Sequence, residues 1–244
     1  MTTTDTEINA IGIFIDGGYY EKIAPGLNKK RLNLHNIIIY VQLAIARRFN
    51  LDKNNCIATE VHYFRGRFPT LSTNVNKHYT KGTYDDELIE DDVVMHLKHM
   101  RKIGGVNQEK GIDVWFALET FELALYRDLD FVVLVTGDSD HEMLARKIKA
   151  LKKQVVLLTW NVATTDSTSW VLKEECTFHI DLELLSRTNQ HIVDLFTGSE
   201  RKMFSEMAND FELPFMDQIP EELLQKKAKE EEAEEEKTKV KEQS

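Results

Sequence analysis

The sequence predicts an α/β protein with a central parallel sheet covered by helices on both faces. Three observations carry this. Short continuous apolar runs alternate with segments of helical period. Two of the runs end in acidic, glycine-containing turns, Asp16-Gly17-Gly18 and Thr136-Gly137-Asp138-Ser139-Asp140. No internal repeat points to a solenoid or propeller.

The elements follow in order. Ile11 to Ile15 is a strand. Residues 33–48 space Leu34, Ile37, Ile38, Val41, Ala44 and Ile45 as one face of a helix. Residues 58–64 read as a strand. Residues 85–102 read as a helix with Ile89, Val93, Leu97 and Met100 inward, and with acids first and bases last to suit the helix dipole. A helix follows at 113–126, then a buried strand at 131–135. Residues 142–152 form a helix, 155–159 a strand, 166–173 a short helix and 177–180 a last strand.

Composition bounds the rest. The chain has 244 residues, which suits one large domain or two small ones, and 42% hydrophobic residues, enough for a real core. Two cysteines, Cys56 and Cys176, exclude a disulfide framework and a four-cysteine zinc site and read as small core residues. The net charge of -10, from 41 acidic and 31 basic residues, argues against a generic nucleic-acid binder. It leaves open a protein that meets phosphates through metal ions. No run approaches a bilayer span and the polar start has no secretory pattern, so a cytoplasmic protein without a membrane contact is expected.

The organisation expected is a flexible start (1–10), an α/β domain (11–186), an extension (187–220) and a charged tail (221–244). The tail holds nine acidic and six basic residues, a charge of -3, which leaves -7 on the first 220. It is expected to be a solvated helix or disordered. The extension, with Ile192, Leu195, Phe196, Met203, Phe204, Phe211 and Phe215, is expected to pack on the main domain or a partner. Phe196, Phe204 and Phe211 leave room for a homodimer or protein partner through residues 187–244.

In parallel sheets ligands bind beyond the carboxyl ends of the strands, where strand order reverses. If the two acidic turns are neighbours, Asp16, Asp138 and Asp140 converge. Carboxylates that close repel one another unless a cation lies among them. Such hard oxygen ligands suit Mg²⁺ or Mn²⁺, ions used mainly on phosphates. An Asp after a strand also caps the helix that follows, and this is the competing reading for Asp16, Asp138 and Asp113. Glu119 lies six residues beyond Asp113, about 240° further round a helix, so the two do not share a face.

The segments Phe14-Ile15-Asp16-Gly17-Gly18-Tyr19, Lys110-Gly111-Ile112-Asp113-Val114 with Ala117-Leu118-Glu119, and Val135-Thr136-Gly137-Asp138-Ser139-Asp140 resemble the NYN domain of the PIN-like nuclease superfamily, including the LabA-like proteins. The resemblance runs in order from about residue 11 to 181. It implies a Rossmann-like α/β/α sandwich, an acidic pocket for Mg²⁺ or Mn²⁺ and, in active members, RNA cleavage. By position it implies metal-site acids at Asp16, Asp113, Asp138 and Asp140, with Glu119 where many members have Asp. Ser169 falls where members often keep a small hydroxyl residue. Two positions depart from the pattern: Tyr19 where Asn is common, and His141 where Phe is usual.

The expected activity is metal-dependent hydrolysis of RNA by an endonuclease, single-stranded RNA first and DNA not excluded. One ion on Asp16, Asp138 and Asp140 would activate water, and a second shared with Asp113 would stabilise the leaving oxygen, giving a 5′-phosphate and a 3′-hydroxyl. The alternative is an inactive NYN-fold module that binds RNA or protein; a third option is an enzyme acting on nucleotides or phosphomonoesters. Substrate grip is expected from Arg65 and Arg67, continued by Lys77, His78, Tyr79 and Lys81, together with Lys110, Ser139 and Ser169. His96 and His99, three apart on a predicted helix, have a zinc-compatible spacing but no third ligand.

Overall fold

The computed structural model describes residues 7–26, 31–67, 84–104, 106–160 and 170–242. Its centre is a six-stranded sheet in which every pairing is parallel. The strands are β1 (Asn9–Asp16), β2 (Cys56–Arg67), β3 (Val94–His99), β6 (Phe131–Val135), β7 (Gln154–Thr159) and β8 (Phe178–Asp181), in the order β3-β2-β1-β6-β7-β8. A small antiparallel hairpin, β4 (Arg101–Ile103) and β5 (Val106–Gln108), follows β3.

Alternate residues of each strand feed two cores. Ile11, Ile13 and Ile15 of β1, with Val133, Val135, Val156 and Leu158, face one layer. That layer contains α2 (Leu34–Phe49), α7 (Leu182–Thr188) and α8 (Gln190–Thr197). Phe14, Val132, Leu134, Val155 and Leu157 face the other layer, with α4 (Ile112–Tyr126), α5 (Glu142–Ala150) and α6 (Trp170–Glu175). The predicted three-layer α/β/α arrangement is thus present.

The chain runs outward from β1 through α1 (Gly17–Gly26) and α2 to β2 and then β3, crosses back to β6, and runs outward again to β7 and β8. Strand order therefore reverses between β1 and β6, whose Ile15 and Val135 are paired. The two acidic turns leave the sheet side by side at that point.

One predicted element is wrong. Residues 85–102 are not one helix: α3 covers 84–90, a turn follows, and β3 begins at Val94. Asp92 adopts φ 56°, and the Val93 N–H returns to the Leu88 carbonyl at 2.9 Å, which closes the helix. The β-branched pair Val93-Val94 then favours a strand. Leu88 is buried while Ile89 is 58% exposed, so the inward face is also one residue off. On a strand, His96 and His99 point to opposite faces, so their zinc-like spacing dissolves. His96 Nε2 instead meets His62 Nδ1 at 2.9 Å.

The C-terminal extension is sewn to α2. Phe196 is fully buried, 5.2 Å from Tyr40 and 6.1 Å from Trp160 between ring centres. The Tyr40 hydroxyl donates to the Pro214 carbonyl at 2.9 Å, and the Asn36 amide donates to the carbonyls of Leu195 and Glu200. Arg47 forks onto Asp217 while its guanidinium covers the Phe215 ring at 4.8 Å. Phe196 is therefore a core residue and no dimer contact; Phe204 is packed against the same core, and Phe211 is fully exposed.

The tail forms α10 (Glu221–Glu242), and its beginning is docked rather than solvated. Leu223 packs against the core, and the buried Lys227 ion-pairs with Asp181 and, at 3.2 Å, with Glu183. Beside them His179 lies between the Thr159 hydroxyl, 2.7 Å from Nε2, and the charges of Asp181, Lys173 and Lys227. Burial pushes the His179 pKa down to about 4, with Asp181 opposing and Lys173 and Lys227 reinforcing. A depressed value means the neutral imidazole is favoured by the fold. Stability is complete above the ordinary histidine value and is lost as pH falls from about 6.5 to about 4, by up to about 3 kcal/mol. Denaturant midpoints from pH 7 to 4 are expected to fall, and less steeply in His179→Gln; equal slopes would contradict this assignment.

Among the described residues no helix is long and apolar enough to cross a membrane.

Candidate functional site

The site begins where β1 stops. A Cβ at Gly17 would lie 2.6 Å from the Phe64 carbonyl oxygen and 2.7 Å from the Tyr63 ring. Only glycine lets α1 leave the sheet so close to β2. Asp16 Oδ1 accepts the Tyr19 N–H at 3.2 Å, so the helix-capping role is real. It is not the whole story. Burial pushes the Asp16 carboxyl up to about 6, against the Tyr19 and Gly18 N–H groups, and the charges of Asp113 and Glu109 push the same way. A carboxyl at this position is therefore desolvated among other carboxylates.

Asp113 sits in the first turn of α4, which favours its negative charge. Gly111, at φ 73°, makes the turn that starts the helix, and no side chain caps it. After β6, the buried Thr136 hydroxyl accepts the Asp138 N–H at 3.2 Å. Asp138 Oδ1 accepts the Asp140 N–H at 3.0 Å and caps the short 3₁₀ turn Ser139–His141. His141 is buried, its Nδ1 3.2 Å from Thr136 Oγ1 and its ring 4.6 Å from Phe116. Its pKa is lowered by burial, against the pull of Asp138, Asp113 and Asp140. The charges of those three acids act on one imidazole, and that of Asp113 acts on Asp16 as well. This shared acid links the two turns.

The two departures from the family pattern have physical roles. His141 fills an aromatic slot against Phe116. Tyr19 reaches across the strand ends: its hydroxyl accepts the Trp160 N–H at 2.9 Å. Its ring lies so close to Gly137 that a Cβ there would approach it to 2.8 Å. Tyr19 thus spaces the Asp16 turn from the Asp138 turn.

Other predicted residues are placed differently. Glu119 is engaged by other groups: its Oε2 accepts the Trp115 indole N–H at 3.1 Å, and its charge acts on His96. Arg65 is not a surface phosphate contact. It is buried, paired with Asp85 and, at 3.0 Å, with Glu21, and flanked by the Tyr63 and Tyr84 rings. A buried guanidinium needs these partners to stay in place. Arg67, Lys110 and Ser139 are exposed. Ser169, Lys77, His78, Tyr79 and Lys81 lie outside the described residues.

Two residues beside the site were not singled out from sequence. Glu109 accepts the Gly66 N–H and lies 3.6 Å from where a Gly18 Cβ would be, with Asp16 Oδ1 at 3.2 Å from that point. Its signal was an acid one residue before Lys110-Gly111. Lys98 Nζ donates to the Gly111 carbonyl at 3.4 Å, next to the Asp113 turn. Reading 85–102 as a helix hid it.

Among the described residues, no three acidic, histidine or cysteine groups converge tightly enough to hold an ion unaided. The donors still fit Mg²⁺ or Mn²⁺. Such ions are commonly bound by one or two carboxylates and complete their shell with water and substrate phosphate. Burial first, and the charges of Asp113 and Glu109 after it, disfavour ionised Asp16, and a cation at this position would favour it.

A parallel sheet with acidic turns at its switch point has the layout of a PIN-like nuclease fold. The sequence matches the NYN domain over residues 10–183, and the chain belongs to this family of PIN-like nucleases, whose members typically use divalent metals. A protein of unknown function from Vibrio parahaemolyticus is similar in structure, with a TM-score of 0.48 and 19% identity over 72% of this chain and 94% of that one. No curated protein matches.

Proposed function

We propose that this protein is a metal-dependent endoribonuclease, with Asp16, Asp113, Asp138 and Asp140 as its acidic centre. The observation that carries the reading is the pairing of β1 with β6 at the reversal of strand order, which sets the Asp16 and Asp138 turns side by side, with the charge of Asp113 acting on Asp16 and His141. Four acids from three separate segments would serve one small volume. In this reading Asp16 and Asp113 would hold one Mg²⁺ or Mn²⁺, and Asp138 and Asp140 would bind that ion's water shell or a second ion. The bound ion supplies Lewis acidity and an acidified water. Tyr19 and Thr136 keep the two turns at a fixed separation. Lys98 and Arg67 offer positive charge at the strand ends for the phosphate chain of single-stranded RNA.

Asp138→Asn is the test. Asparagine can still accept the Asp140 N–H, so folding is expected to be unchanged. RNA cleavage is expected to fall at least about 10³-fold, the scale on which a charge-stabilising group is worth in catalysis. Wild-type cleavage by the purified variant would overturn the assignment. RNA binding without cleavage by the wild type would favour the binding-module reading, which the buried state of Arg65 does not help.

A further inference from the structure

We propose that α4 is the contact helix of an antiparallel homodimer. Its sequence, Ile-Asp-Val-Trp-Phe-Ala-Leu-Glu-Thr-Phe-Glu-Leu-Ala-Leu-Tyr, is apolar on two opposite faces, with Asp113, Glu119 and Glu122 at their margins. Ile112, Phe116, Thr120 and Ala124 are the buried face and account for the packing of α4 on the sheet. The opposite face is unexplained by the fold. Val114 is 62% exposed, Leu118 64% and Leu125 48%, with the half-buried Phe121 between them. The intervals are four, three and four residues, the seam of a helix that packs on another helix. Tyr126, 77% exposed, extends the patch at one end. A contiguous apolar stripe left exposed in this way marks an interaction surface.

Charge selects the occupant. Lys110 stands exposed just before the first turn. Asp128 stands just past the last turn, fully exposed and with Lys153 no nearer than 3.9 Å. A two-fold axis midway between Leu118 and Phe121 brings Lys110 of each copy opposite Asp128 of the other. It also opposes the two helix dipoles favourably. A parallel pairing would put like charges together. The stripe is therefore self-complementary, as a two-fold interface must be. A second copy of this chain fits it from information in the stripe alone, independently of the catalytic reading.

The test is the mass of the full chain by sedimentation equilibrium over a wide concentration range. A dimer that dissociates on dilution is expected. Leu118→Glu, at an exposed position, should leave the thermal melt intact and weaken association at least about tenfold, as loss of a central contact does. Lys110→Asp should weaken it, and Lys110→Asp combined with Asp128→Lys should restore it. A monomer at every concentration would overturn the proposal and leave the stripe to another protein. A dimer indifferent to Leu118→Glu would place the interface elsewhere, and failure of the double exchange to restore association would refute the antiparallel register.

Discussion

Asp16→Asn is expected to make the protein more stable in metal-free buffer while removing its activity. Ionised Asp16 is held among Asp113 and Glu109 in a desolvated position, with its pKa pushed up to about 6. An acid whose folded value is raised costs the fold stability once pH exceeds its ordinary value. The cost grows between about pH 4 and about pH 6 and is constant above. The full shift corresponds to about 3 kcal/mol, and partial solvent contact reduces the expected gain to about 2 kcal/mol at neutral pH. Asparagine keeps the oxygen that accepts the Tyr19 N–H, so the α1 cap survives. Urea unfolding in EDTA measures the gain; a loss of stability would mean that Asp16 is a structural cap first. The same substitution should cost RNA cleavage at least about 10³-fold, because it removes a charge from the acidic centre. Stability bought at the expense of function is the signature of a site rather than a scaffold residue.

Phe196→Ala is expected to cost about 3–5 kcal/mol, the range for emptying a buried aromatic position. Its ring is fully buried between Tyr40 on α2 and Trp160 after β7. Phe211→Ala, at an exposed ring in the same extension, should change stability by less than about 0.5 kcal/mol. Chemical denaturation of both variants checks the pair. A small loss for Phe196→Ala would mean that the extension folds independently of the sheet. A loss of the expected size would show that residues after the α/β domain complete its core.

Much of this fold was legible because its signals are local. The strands β1, β6 and β7 are continuous apolar runs buried on both faces, and the acidic turns after β1 and β6 stand out in sequence. The neighbouring of Asp16 and Asp138 was conditional on strand order, and the pairing of β1 with β6 meets that condition. The error at 85–102 arose where a short edge strand carries the same residues a helix would. Val93, Leu97 and Met100 match a helical period, and the left-handed turn at Asp92 has no strong sequence mark. Arg65 illustrates a different limit. Composition shows a basic residue at a strand end, but only tertiary contact reveals that Asp85 and Glu21 have claimed it. Glu109 and Lys98 became visible for the same reason: the crossover from β3 to α4 returns Glu109 to the strand ends, and Lys98, near the end of β3, meets the Gly111 turn there. Lys227 had looked like one charge in a solvated run; its partner Asp181 is far away in sequence.

The central claim is that the acids at the β1–β6 switch point act with a divalent ion on RNA. The most direct measurement is cleavage of an end-labelled single-stranded RNA by the purified 244-residue chain in Mn²⁺, in Mg²⁺ and in EDTA. Internal cuts are expected in one or both metals, with products carrying 5′-phosphate and 3′-hydroxyl ends, and none in EDTA. Cutting that persists in EDTA, or intact RNA in both metals with the protein folded, would contradict that claim.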